Sequence, residues 1–166
     1  MKFKHAATLA IGVFSTSLAN AYNNLPLSPS WFKNVYENIT ESRDSVWRGK
    51  VIEILNPTQV LIENPKGQQI TVNLLHLTLK RGSIDAAFSM QSLEQLLNKN
   101  VYVLADEKKK VVSAKLIDAT GKDINLNLVE LGAFDINTTT LHLKHEKQQY
   151  INALNNARSF KLGIWK

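Results

Sequence analysis

VWRGKVIEILNPTQVLIENPKGQQITVNLL, residues 46–75, is three β-rich runs parted by two turns. Residues 46–55 are rich in Val, Ile and Trp, and Asn56-Pro57 then breaks the run. Residues 59–63 (QVLIE) form a second run, followed by the turn signal Asn64-Pro65-Lys66-Gly67. Residues 68–75 (QQITVNLL) alternate polar and apolar as a half-buried strand does. Strands joined by such short turns predict a meander of consecutive antiparallel neighbours.

Outward from this meander the period changes. Ser83–Leu97 reads as a helix, with Ala86, Met90, Leu93 and Leu97 on one face and Ser83 as its cap. Asn100–Ala105 is a fourth strand and Val111–Asp118 a fifth, with Lys108, Lys109 and Lys110 in the hairpin between them. Ile124–Leu131 is a short helix ended by Gly132. Thr140–Phe160 is the last helix, with Leu143, Tyr150, Leu154 and Ala157 as its buried stripe. Gly163 ends it and Ile164-Trp165 return to the core. Three strands, a helix, two strands and further helices predict an α+β chain: a five-stranded Greek-key barrel of the OB type with helices packed on it.

Upstream, residues 1–21 (MKFKHAATLAIGVFSTSLANA) have a basic start, an apolar run and the small-x-small end Ala19-Asn20-Ala21. This is the pattern of a cleaved, bacterial-type signal peptide, with an apolar run too short for a membrane anchor. Export to the periplasm or medium follows, with a mature chain of 145 residues starting at Tyr22. Residues 22–45 form an extension in which Ser30 caps a short helix with an apolar stripe at Trp31, Phe32, Val35, Tyr36 and Ile39. That stripe packs on the domain or docks an exported protein partner. The domain itself spans 46–166. With 44% apolar residues the chain is not wholly disordered. No cysteine is present, which excludes disulfides, thiolate metal sites and cysteine nucleophiles. The formal charge of +6 falls to +4 without Lys2 and Lys4, a balance that permits a polyanionic partner without requiring one.

Several words in the second half carry a resemblance. Lys122-Asp123-Ile124-Asn125 precedes Leu128-Val129-Glu130-Leu131-Gly132-Ala133, and Ala157-Arg158 precedes Leu162-Gly163-Ile164-Trp165. Val72-Asn73-Leu74-Leu75 ends the third strand. In order and spacing these resemble the staphylococcal-nuclease-like (thermonuclease) domain family, over about Trp47–Lys166. The resemblance implies an OB-type barrel. It also implies phosphodiester cleavage with a calcium ion held by two aspartates, a glutamate base and two arginines on the phosphate.

At each of those positions this chain departs. The family's Asp-Gly-Asp-Thr turn falls on Asn56-Pro57-Thr58-Gln59, which places Asn56 at the first calcium aspartate. The arginine of strand three falls on Asn73, the second calcium aspartate on Thr78, the base on Arg81, and the later arginine on Val112. Two neutral side chains hold calcium poorly, and arginine cannot act as a base. The expectation is a catalytically inactive nuclease-like domain with no catalytic residue, metal or cofactor, acting as a binding module. The alternative is a calcium-dependent nuclease with displaced ligands, in which Ile84-Asp85-Ala86-Ala87 supplies Asp85.

Two partner classes follow. Nucleic acid or another polyanion would meet Lys50, Lys80, Arg81 and Lys108–Lys110, with Tyr102 close by. A protein would dock on the barrel or on the Trp31–Ile39 helix. The common fate of such lysines is a solvated surface, and a lysine run in a hairpin also discourages edge pairing. Trp47 and Trp165 read as core. His142 and His145 share a helix face, but two histidines make an incomplete metal site. No phosphate-cradling glycine loop or dinucleotide fingerprint is present.

Overall fold

The structure is a computed structural model, which describes residues 44–80, 83–106 and 112–166. The leader, the Trp31–Ile39 helix, Arg81 and the Lys108–Lys110 run lie outside the described residues. In chain order the elements are β1 (Asp44–Asn56), β2 (Gln59–Glu63), β3 (Gln69–Leu74), β4 (Leu77–Thr78), α1 (Ser83–Glu94), β5 (Asn100–Asp106) and β6 (Val112–Ile117). Then come α2 (Ile124–Glu130), β7 (Asp135–Ile136), a 3₁₀ turn at Thr138–Thr140, α3 (Lys144–Ser159) and a second 3₁₀ turn at Gly163–Trp165.

β1 serves two neighbours. Asp44–Lys50 pair antiparallel with β5, and Lys50–Asn56 with β2. Its register with β2 shifts between Val51 and Glu53 and again between Ile54 and Asn56, which bends the strand around the barrel. Gly49 sits at the handover. A Cβ there would run into Ile62 Cγ2 and lie 2.8 Å from the Glu63 carbonyl, so only glycine admits this close approach. β2 and β3 continue the antiparallel meander, and β5 and β6 form a hairpin. A parallel seam closes the ring: Val72 opposes Val112, Asn73 opposes Ser113, and Leu74 opposes Ala114. The closed order β1-β2-β3-β6-β5 is the five-stranded OB-type barrel expected from the sequence, with three helices on it.

Alternate residues fill the interior. Val51, Val60, Ile62, Val72, Val103, Ala114 and Leu116 are fully buried. The core continues through Leu93 of α1, Leu128 and Val129 of α2, and Tyr150, Leu154 and Ala157 of α3. Trp47 and Trp165 are half-buried and pack against it.

Four sequence expectations need correction. α1 buries Ser89 and Leu93, and the turn after it buries Leu96, in place of the Ala86, Met90, Leu93, Leu97 stripe; Leu97 is exposed. Ser89 is tolerated inside because its hydroxyl lies 2.9 Å from the Asp85 carbonyl and 2.5 Å from that of Ala133. α1 also stops at Glu94, because Asn98 turns left-handed (φ 64°) and Val51 captures the chain there, accepting from the Asn98 N–H and donating to the Lys99 carbonyl. The last helix begins at Lys144, not Thr140. Asn137 accepts from the Thr139 N–H and hydroxyl and holds the threonines in a 3₁₀ turn. Leu143 therefore precedes the helix and is 68% exposed instead of buried. Finally, β4 and β7 form a two-stranded sheet that periodicity does not reveal, with Leu77 opposite Ile136 and Thr78 opposite Asp135.

Candidate functional site

At one end of the barrel the register lines up Asn56, Gln59, Asn73 and Ser113 across β1, β2, β3 and β6. The Asn-Pro turn and the period of two in β3 set this row. Asn56 Oδ1 accepts from the Thr58 N–H (2.9 Å) and hydroxyl (3.2 Å). Asn56 Nδ2 donates to Gln59 Oε1 at 2.5 Å, and Gln59 Nε2 donates onward to Asn73 Oδ1 at 2.6 Å. Backbone follows side chain, for the Leu74 N–H donates to the Thr58 carbonyl at 2.9 Å. The row is a chain of neutral amides bonded to one another, each half-buried.

Two of the five expected family positions, Asn56 and Asn73, thus meet through Gln59. Thr78 lies in the other sheet, against Asp135. Val112 packs against the core, one residue before Ser113. Neutral amides donate and accept hydrogen bonds but bring no negative charge. Calcium draws on several oxygens, carboxylates above all, so this donor set does not fit the ion. Asp85, the residue of the displaced-ligand alternative, lies in the first turn of α1. Among the described residues no three His, Asp or Glu side chains come together as a metal group.

The cationic candidates are scattered. Lys50 is exposed on β1 at its handover, level with Glu63 and Asn100 in register. Lys80 is turned inward: Nζ donates to the Ile164 carbonyl at 2.9 Å and lies 4.9 Å from the centre of a Trp165 ring. Arg158 lies 4.4 Å from that ring and pairs with Asp135 at 3.5 Å. Tyr102 is buried opposite Arg48. His142 precedes α3 and His145 lies inside it, both exposed, so they do not share a helix face as expected.

The sequence reading missed a second polar cluster, beneath the β3–β4 turn. His76 is buried with φ 69°, a left-handed conformation uncommon for a non-glycine residue. Its Nδ1 lies 2.9 Å from Thr140 Oγ1, and its Nε2 lies 3.6 Å from Glu146 Oε1. Lys115 Nζ reaches the same oxygen at 2.5 Å. His76 and Lys115 hold the Glu146 carboxyl down from 4.5 to about 2, against the opposing effect of burial. Tyr150 packs edge-on to His76 and donates to Asp123 Oδ2 at 3.1 Å, while Asp123 Oδ1 caps α2 at the Leu126 N–H. Burial raises Asp123, and burial together with the Asp123 charge raises Tyr150. Fully buried Asn125 donates to the carbonyls of Leu75 and Ala114 and accepts from the Leu116 N–H. These groups brace the barrel against α2 and α3. Of these, Tyr150 was expected in the buried stripe of the last helix, and Asp123 and Asn125 stand in the words that carry the resemblance, but nothing in the sequence joined them to His76, Lys115 and Glu146.

Scanned against models of protein families and searched against curated proteins, the chain matches none.

Proposed function

We propose that this chain is an exported, non-hydrolytic member of the thermonuclease-like barrels that binds a partner instead of cutting it. The observation that carries the proposal is the Asn56–Gln59–Asn73 amide chain. It stands where the resemblance calls for a calcium ligand and a phosphate-binding arginine, and it is neutral. The favoured partner is a nucleic acid or another polyanion, met by Lys50 together with Arg81 and Lys108–Lys110. A specific observation favours a second reading, a protein partner. Lys80 is committed to Ile164 and Trp165, which removes one cation from the polyanion set.

The test is a cleavage assay on single- and double-stranded DNA and RNA, with calcium and with chelator, beside gel retardation at rising salt. The proposal expects intact substrate and a complex that weakens as salt rises. Intact substrate with no complex, and salt-insensitive association with one exported protein, supports the second reading. Cleavage that needs calcium and is lost in Asp85→Ala overturns both and restores the displaced-ligand enzyme.

A further inference from the structure

The C-terminal ends of α2 and α3 meet at one corner. Gly132 follows α2 in a left-handed turn (φ 72°), and Leu162 crosses it so closely that a Cβ on Gly132 would lie 3.0 Å from Leu162 Cβ. The Ile164 N–H donates to the Gly132 carbonyl at 2.9 Å and fixes the crossing. Leu131 and Leu162 are therefore neighbours, and Phe160 stands two residues before Leu162, at the end of α3. All three are turned outward: Phe160 is 74% exposed, Leu131 51% and Leu162 38%. Lys161, between Phe160 and Leu162, is itself left-handed (φ 52°), where the chain leaves α3. A scattered exposed leucine needs no explanation, but three large apolar tips on one corner do.

The surrounding charge is mostly positive. Lys161 lies within the corner and Lys166 adjoins it through Trp165, both exposed, whereas Lys80 is turned inward onto the Ile164 carbonyl and Arg158 is paired with Asp135. The acids beside it are engaged: Asp135 by Arg158, and Glu130 by Lys122 at 3.8 Å. Apolar tips flanked by the exposed Lys161 and Lys166 match a surface that offers acyl chains just beneath negative headgroups. We infer that this corner is a peripheral docking site for an anionic phospholipid surface, with Phe160, Leu162 and Leu131 entering the interface and Lys161 and Lys166 meeting the headgroups. The site is separate from the amide row and does not depend on what that row binds.

The absence of cysteine makes a local test clean. Full-length Phe160→Cys, Leu162→Cys and Leu143→Cys each carry one environment-sensitive fluorophore. Leu143 is an exposed leucine at the far end of α3, about 25 Å away. The probes are vesicles of phosphatidylglycerol with phosphatidylethanolamine, and vesicles of phosphatidylcholine alone. The inference expects a blue shift at 160 and 162 on the anionic vesicles only, with none at 143. It also expects Lys161→Gln, in the Leu162→Cys background, to weaken the partition about fivefold. No shift at 160 and 162, an equal shift at 143, or equal shifts on neutral vesicles would overturn it. So would a shift at 160 and 162 produced by DNA or by a protein instead of lipid.

Discussion

Gln59 gives its side-chain amide to Asn73 Oδ1 across the β2–β3 pair at 2.6 Å. It also accepts from Asn56, so it spans three strands at the end of the barrel. Asn73→Ala removes the acceptor and leaves a half-buried amide donor without it. The expected loss is about 1 kcal/mol, read as a lower urea midpoint with unchanged slope.

Glu146 makes stability depend on acid. Its pKa in the folded state is depressed from 4.5 to about 2, so the stability it contributes is complete above 4.5 and is lost as pH falls toward 2. The wild-type urea midpoint should drop across that window. Glu146→Gln, which cannot ionise, should be less stable at neutral pH and should fall less on acidification, so the two curves converge near pH 2.

Asn125 satisfies three backbone groups from a fully buried position. Asn125→Leu is close in size but strands the Leu75 and Ala114 carbonyls and the Leu116 N–H. A loss of about 3 kcal/mol is expected by chemical denaturation, at the high end for one residue.

Two left-handed glycines separate strain from collision. Gly67 (φ 75°) has nothing within 4 Å of an added Cβ, whereas at Gly132 (φ 72°) that Cβ would lie 2.5 Å from the Leu162 carbonyl oxygen. Gly67→Ala should cost about 1 kcal/mol, the price of the conformation alone. Gly132→Ala should cost at least about 3 kcal/mol, because backbone must also move. Thermal melts of the two variants side by side measure the difference.

What the sequence disclosed followed the range of the forces involved. β2 matched residue for residue, because Asn56-Pro57 and Asn64-Pro65-Lys66-Gly67 bound it with local turn chemistry. The α1 face was misread because Ser89 is buried through a partner, the Ala133 carbonyl, that only tertiary structure supplies. Leu143 was misplaced because Asn137 captured the preceding threonines before the helix could start. Asn56 and Asn73 were singled out only through the resemblance, and Gln59, which joins them, was not singled out. Its role comes from the register of three strands and has no local mark. His76, Glu146 and Lys115 lie far apart in the chain, and no spacing rule connects them.

The parallel seam between β3 and β6 has a kinetic consequence. Every antiparallel pair among β1, β2 and β3, and the pair β5–β6, joins strands adjacent in sequence, whereas Val72 must find Val112 across α1 and the β5 strand. Hairpins close in microseconds, and pairings of distant segments come later because the intervening chain must first be ordered. The seam, like the β1–β5 pair whose partners lie still farther apart in the chain (Lys50 opposite Asn100), is therefore a late step of barrel closure. Asn125, bonded to Leu75 on one side of it and Ala114 on the other, clasps it only once closure is complete. Its loss should leave the refolding rate nearly unchanged and accelerate unfolding, so the clasp governs how long the barrel stays shut.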